Sequence, residues 1–195
     1  MEDYSLLLTK AIDYATEKHQ GQKRKNSKKE DYIVHPIEVM HLLKDYGVSD
    51  EVTLVAAVLH DTIEDTSATY EEIMEFFGKE VADVVLEVSD DKSLLKLTRK
   101  KFQLSEISKK SFAARMIKIG DKLSNSVELL IDPPVGWSSI EINGYILWSE
   151  KICDNAMSPG DTPLPLKGVV KQHFEALGTS KLPANGLEEY YISMA

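Results

Sequence analysis

The sequence predicts an all-α protein, a helical bundle folded as one domain. Three observations predict it. Apolar residues recur at three- and four-residue spacing through most of the chain, as in helices that bury one stripe. Nothing alternates convincingly at a period of two, as a half-buried strand would. The gaps between periodic runs carry helix punctuation, with Ser, Thr or Asp before a run and Gly or Pro after it. At 195 residues the chain supports one sizeable core without a second domain. The expected division is a domain over residues 1–178 and a partly ordered tail over 179–195.

In order, Ser5 to His19 carries a stripe of Leu6, Leu7, Ala11, Ile12 and Ala15. The polar, basic run from Gln20 to Lys29 reads as a loop, solvated unless an anion site lies nearby. Pro36 suits the first position of the next helix, which stops near Gly47. Asp50 caps a buried helix that delivers His60. Thr69 and Glu72 form a capping box for a short helix ending near Gly78, and Glu80 to Val88 follows as another. Between Asp90 and Lys110 the periodicity is poor, and Lys92, Lys96, Arg99, Lys100 and Lys101 make a second basic island. A long helix runs from Ser111 until Asp132-Pro133-Pro134 breaks it. Ser138 and Glu141 box the next one; Ser158 to Pro163 is a loop; a last helix covers about Leu166 to Leu177. About eight helices result.

Hydrophobic residues at 43% and charged residues at 28% are ordinary for a soluble globular chain. The formal net charge of −9 argues against nucleic acid as a partner, so an anionic ligand would need a locally positive pocket. Cys153 is the only cysteine, which rules out an intramolecular disulfide and suits a reducing cytosol. There is no signal-peptide pattern, and no apolar run approaches the roughly 20 residues that span a bilayer. The expected location is cytoplasmic, with no membrane partner; the oligomeric state stays open.

The chemistry concentrates at Leu59-His60-Asp61-Thr62-Ile63-Glu64-Asp65-Thr66. An adjacent His and Asp offer one nitrogen and one oxygen ligand to a divalent metal. If the helix persists, Glu64 lies one turn beyond His60 and Asp65 one turn beyond Asp61. His35 and Asp121 are further polar residues embedded in apolar helices. Singly, each has a more ordinary reading: a core histidine bonded to a carbonyl, or a surface aspartate beside Lys122. As a set, two His and two Asp on three helices make a mixed site suited to Mn, Fe, Zn or Mg, with Mn a natural compromise.

The order His35, His60-Asp61, Asp121 resembles the His…His-Asp…Asp signature of the HD phosphohydrolase superfamily. Leu59 to Thr66, Phe77 to Ala82 and Ile117 to Asn125 are similar to the hydrolase domain of RelA/SpoT-type (p)ppGpp enzymes. Trp137-Ser138 and Tyr145 to Trp148 resemble its small stand-alone metazoan members. The likeness runs from about Leu6 to Gly178. It implies an all-α HD fold holding one Mn(II) per chain through His35, His60, Asp61 and Asp121. It implies removal of pyrophosphate from the 3′ position of ppGpp or pppGpp, with Glu64 and Asp65 as the catalytic acidic pair. Arg24 and Lys25 match a segment that packs on guanine and reaches phosphate, and Asn125 and Tyr145 match residues lining the nucleotide pocket. No synthetase-like segment follows, so synthesis of the nucleotide is not expected.

Three positions depart from the family pattern. Val127 replaces an arginine, Ser124 stands where His or Tyr is frequent, and Asp31 adds negative charge near an expected anion. These bear on substrate preference and rate more than on metal binding. Two other functions fit the same residues. One is a phosphatase of another ribose-phosphorylated nucleotide such as NADPH. The other is a catalytically silent nucleotide-sensing HD module, which would have lost a ligand or the acidic pair; all six residues are present.

Overall fold

The computed structural model describes residues 4–157 and 160–194. The helices are α1 (Leu6–Lys18), α2 (Val34–Asp45), α3 (Glu51–Leu59), α4 (Thr62–Asp65), α5 (Tyr70–Phe77) and α6 (Lys79–Val88). They continue as α7 (Lys96–Glu106), α8 (Phe112–Ile131), α9 (Ser139–Ala156), α10 (Leu164–Ala176) and α11 (Gly186–Ile192). Among the described residues the only β pairing is an isolated bridge between Lys23 and Asp31, inside the basic loop. No helix among them is long and apolar enough to cross a membrane.

The caps are those the sequence specifies. Asp50 accepts from the Thr53 amide at 2.8 Å, and Ser111 from the Ala114 amide at 3.2 Å. Both capping boxes, Thr69 with Glu72 and Ser138 with Glu141, are closed in both directions. Each satisfies amides that the first helical turn leaves without an intrahelical partner. Pro36 differs slightly from expectation. Helix α2 starts at Val34, so Pro36 is its third residue. The first turn still needs no amide there, and the helix tolerates it.

Helix α3 is the hub. Val55 through Leu59 are completely buried, and α3 packs on α1, α2, α6 and α8. Burying one such Val or Leu side chain contributes about 1.5–3 kcal/mol, so this helix is set by packing more than by propensity. Helices α2 and α8 cross at Gly120. A Cβ there would stand 3.0 Å from Val39 Cγ1 and 3.2 Å from Leu43 Cγ. The missing side chain lets the two backbones approach, and His35 and Asp121 lie one turn or less from the crossing.

Helices α4, α7 and α11 are additional to the eight expected. Helix α7 hides its periodicity because the side chain it buries is Lys100. The Lys100 ammonium lies 3.4 Å from the centroid of Trp148 and 4.5 Å from that of Tyr145, a cation–π cage in place of an apolar stripe. Desolvation pushes that ammonium well below its usual pKa. The segment 179–195, expected to be partly ordered, carries a 3-10 turn at Thr179–Lys181 and then α11, up to Met194. The cause is Tyr190, buried over Gly144 of α9. A Cβ on Gly144 would fall 2.2 Å from Tyr190 Cβ, so only glycine admits this contact.

Gly144→Ala is therefore expected to displace α11. Overpacking of this kind costs about 2 kcal/mol, or roughly 4–8 °C in Tm for a chain of this size. Thermal melting with limited proteolysis checks it. An unchanged Tm with a protected C-terminus would mean that α11 is not held on α9.

Candidate active site

His35 is the second residue of α2, His60 and Asp61 occupy the break between α3 and α4, and Asp121 sits in the middle of α8. The helix does not persist through His60 as expected. Thr62 starts α4 after its hydroxyl bonds the Leu59 carbonyl at 2.7 Å. At this break His60 Nε2 and Asp61 Oδ2 come within 3.1 Å of each other.

Ligand atoms of His35, His60 and Asp121 all lie within 4.8 Å of one another. Asp61 Oδ2 completes the group at 3.9 Å from His35 Nε2, and His35 Nε2 is 3.3 Å from Asp121 Oδ1. Each imidazole is 1% exposed. His60 Nδ1 donates to the Ala57 carbonyl at 2.8 Å, because a carbonyl can only accept. In the neutral ring, Nε2 therefore carries a lone pair. That buried atom has no well-aligned hydrogen-bond partner; its nearest carboxylate oxygen is Asp61 Oδ2 at 3.1 Å. A lone pair facing carboxylates away from water is repulsive until a cation enters, and this donor set fits a divalent metal.

The electrostatics point the same way. Burial pushes both imidazoles toward neutrality; for His35 the net direction is down. For His60 the adjacent Asp61 overcomes burial and the net direction is up, so positive charge is drawn to this spot. Against burial, His60 holds the Asp61 carboxyl below its usual range. Lys122, donating to Asp121 Oδ2 at 2.6 Å, does the same for Asp121. Both carboxylates are thus kept ionised and able to ligate.

Glu64 and Asp65 lie beside this group on α4. Burial pushes the Glu64 carboxyl up, while the Asp90 amide donates to Oε2 at 3.1 Å. Arg99 and Lys92 face Glu64 Oε1 at 3.6 and 3.8 Å, and Lys92 also pairs with Asp65. Two members of the second basic island, Lys92 and Arg99, thus face the acidic pair, while Lys96 and Lys101 are exposed.

The first island has a place too. Arg24 and Lys25 line a cleft of about 280 Å³ with Asp65, Asn125 and Tyr145, closed on one side by Trp137. Arg24 pairs with Glu128, donates to Asn125 Oδ1 at 3.1 Å, and lies 5.7 Å from the Tyr32 ring centroid. Asn125 in turn donates to Asp121 Oδ1. Burial pushes the Tyr145 hydroxyl up to about 12, so it stays a neutral donor. Arg24, Lys25, Asp65, Asn125 and Tyr145 thus line the cleft, and His35, His60, Asp61 and Asp121 form the ligand cluster. Glu64 lies outside the cleft lining, bonded by the Asp90 amide.

Sequence reasoning missed three participants. Tyr32 donates to Asp61 Oδ2 at 2.6 Å and packs between the His19 and His35 rings. Its signal was its place one turn before His35. Glu128 neutralises Arg24, and its signal was its position one turn past Asn125 on α8. Lys122 was noted only as a neighbour of Asp121, yet it is its buried counter-ion.

The HD domain family matches residues 11–125, which hold all four ligand candidates. The chain is 40% identical over 145 residues to the guanosine-3′,5′-bis(diphosphate) 3′-pyrophosphohydrolase MESH1 of Drosophila melanogaster, covering 74% of this chain and 81% of that protein. To the Homo sapiens protein of the same name it is 41% identical over 146 residues, or 74% of this chain and 82% of that one. Among solved structures, a metazoan ortholog of SpoT that hydrolyzes ppGpp and plays a role in starvation responses superposes with a TM-score of 0.85 at 36% identity. That match covers 92% of this chain and 99% of the other. Sequence, fold and ligand cluster agree, and the chain belongs to the HD-domain family, alongside its small metazoan SpoT-type members.

Proposed function

We propose that this chain is a Mn-dependent guanosine-3′,5′-bis(diphosphate) 3′-pyrophosphohydrolase that converts ppGpp or pppGpp to GDP or GTP and pyrophosphate. The observation that carries the reading is the buried convergence of His35, His60 and Asp121 ligand atoms within 4.8 Å, with Asp61 beside them, next to a cleft that presents Arg24 and Lys25. His35, His60, Asp61 and Asp121 hold the metal, and two imidazoles with two carboxylates suit Mn(II). A bound metal supplies a Lewis acid for the phosphoryl oxygen and lowers the pKa of water.

The chain's own residues do the rest. Glu64 or Asp65 takes a proton from the attacking water as its oxygen bonds to phosphorus and the bond to the ribose 3′ oxygen breaks. The departing oxygen takes up a proton from solvent to become the 3′ hydroxyl. Arg24 has a planar guanidinium suited to stacking on a base and to forked phosphate contacts, whereas Lys25 acts as a point charge. Asn125 and Tyr145 orient the nucleotide from the cleft wall. The family relatives named for this activity support the same substrate.

The test is Mn-loaded protein incubated with ppGpp and with NADPH in parallel. Release of pyrophosphate from ppGpp is expected. Orthophosphate from NADPH with none released from ppGpp would move the assignment to the other nucleotide.

The cleft gives a further expected result. Arg24→Ala removes one charge-assisted contact, about 1.5–3 kcal/mol, so KM for ppGpp should rise roughly 10–100-fold. The loss in kcat should be smaller if stacking is equal in ground and transition states. Steady-state kinetics of Arg24→Ala and Lys25→Ala check this, and unchanged KM in both would make the basic run a solvated loop.

A further inference from the structure

We propose that Glu38 is a positioning residue for the candidate metal centre: acting through the Ser124 hydroxyl, it holds the His35 proton on Nδ1 and leaves the Nε2 lone pair free for a cation. The inference rests on the metal-site reading above and names residues that this reading does not use.

The argument begins with which atoms own protons. Ser124 Oγ donates to Glu38 Oε2 at 2.9 Å, and His35 Nδ1 lies 3.0 Å from the same Oγ. A carboxylate brings no proton, so the single hydroxyl proton is committed to Glu38. The oxygen can then only accept, and the proton between Oγ and Nδ1 belongs to the ring. A serine alone would not decide this. Its hydroxyl can donate to Nδ1 as readily as accept from it, and would serve either tautomer.

The other side of the ring makes the decision matter. Nε2 faces Asp121 Oδ1 at 3.3 Å and Asp61 Oδ2 at 3.9 Å. Both carboxylates stabilise a proton on Nε2, the tautomer that blocks ligation. Without an opposing acceptor, the metal-free site would fill its own ligand position with hydrogen. His60 has no such problem, because its Nδ1 faces the Ala57 carbonyl, which accepts only. His35, at the start of α2, is served by side chains instead.

The placement follows helical geometry. Glu38 stands three residues after His35 on α2, and Ser124 three residues after Asp121 on α8, so each helix supplies one ligand and one support on the same face. Ser124 is also one of the positions where this sequence departs from the family pattern. Beside it, a surface cavity of about 350 Å³ is lined by Glu38, Ser124 and Val127.

Three variants test the relay: Glu38→Ala, Ser124→Val and Ser124→Thr. Calorimetric titration of Mn(II) into metal-free protein should show Kd raised about 10–100-fold in Ser124→Val, the usual range for a lost partner of a ligating His. In Glu38→Ala the Kd should rise about tenfold, because Glu38 is exposed and water replaces part of its pull. Ser124→Thr keeps the hydroxyl and should bind as wild type does. The signature that a merely structural role would not move is the tautomer. Nitrogen-15 NMR of the metal-free protein should place the His35 proton on Nδ1 in wild type and Ser124→Thr, with Nε2–H appearing in the other two.

Wild-type affinity and an Nδ1 proton in both Ser124→Val and Glu38→Ala would overturn the relay and leave the metal centre standing. Should Ser124→Val fail to fold, the surface variant Glu38→Ala decides alone on the same two readouts. A folded wild type that binds no divalent ion would overturn the metal reading, and this inference with it.

Discussion

Mn-loaded Glu64→Gln and Asp65→Asn, assayed with ppGpp, are expected to lose about 10²–10⁴ in kcat, the usual contribution of a positioned acid or base. Each amide keeps the shape of the acid and removes both the base and its negative charge. The two side chains are 16% and 23% exposed, near enough to the cleft to meet water and buried enough for Glu64 to have its carboxyl pushed up. A raised carboxyl is a stronger base when ionised, as the proposed step needs. Asp65 is paired with Lys92, so its amide releases that lysine toward the phosphates. Binding of ppGpp should therefore hold or tighten in Asp65→Asn while turnover collapses. Metal content and Tm should stay near wild type, because neither residue belongs to the ligand cluster. Full activity in both amides would refute the proposed chemistry. Loss of metal would move these carboxylates into the ligand set instead.

Loss of stoichiometric metal is expected in His60→Ala and in Asp121→Asn. Asparagine is preferable to alanine at 121, since Lys122 is buried and bonds Asp121. Asparagine removes the counter-charge but keeps an oxygen that accepts from Lys122, whereas alanine removes both, a loss of about 3–5 kcal/mol that would confuse a lost ligand with a lost fold. Elemental analysis gives the first readout and thermal linkage the second. At a metal concentration 100 times Kd, binding adds about 2.7 kcal/mol to wild-type stability, or roughly 5–11 °C for a chain of this size. A chelator should remove that increment from wild type, and neither variant should show it. Metal retained at one per chain in either variant would sink the assigned ligand set.

Much of this arrangement is legible in the sequence because caps and apolar stripes are local signals. Asp50, Thr69, Ser111 and Ser138 each mark a helix start that the structure realises. His35, His60, Asp61 and Asp121 stand out as polar residues in apolar helices, and the structure brings them to one point. What escaped was non-local or wrongly signed. Helix α7 buries a lysine against aromatic rings, so its inward face reads as surface. Helix α11 is short, and the residue that holds it, Gly144, lies on another helix. The break at His60-Asp61 has helix on both sides, so no periodicity reports it. The links from Arg24 to Asn125 and Glu128 escaped because those partners are about a hundred residues away in the chain.

The Gly120 crossing acts on the ligand cluster as the jaws of a calliper. His35 rides on one jaw and Asp121 on the other, and the gap is set by the absence of a single methyl group. Mg–O bonds of about 2.0–2.1 Å and Ca–O bonds of about 2.3–2.6 Å differ by a few tenths of an ångström. Val39 and Leu43 would have to yield by a similar amount to admit a Cβ at Gly120. With the proposed metal bound, Gly120→Ala is expected to part His35 from Asp121 and to shift ion preference toward larger cations, as competition between Mg(II) and Ca(II) would read.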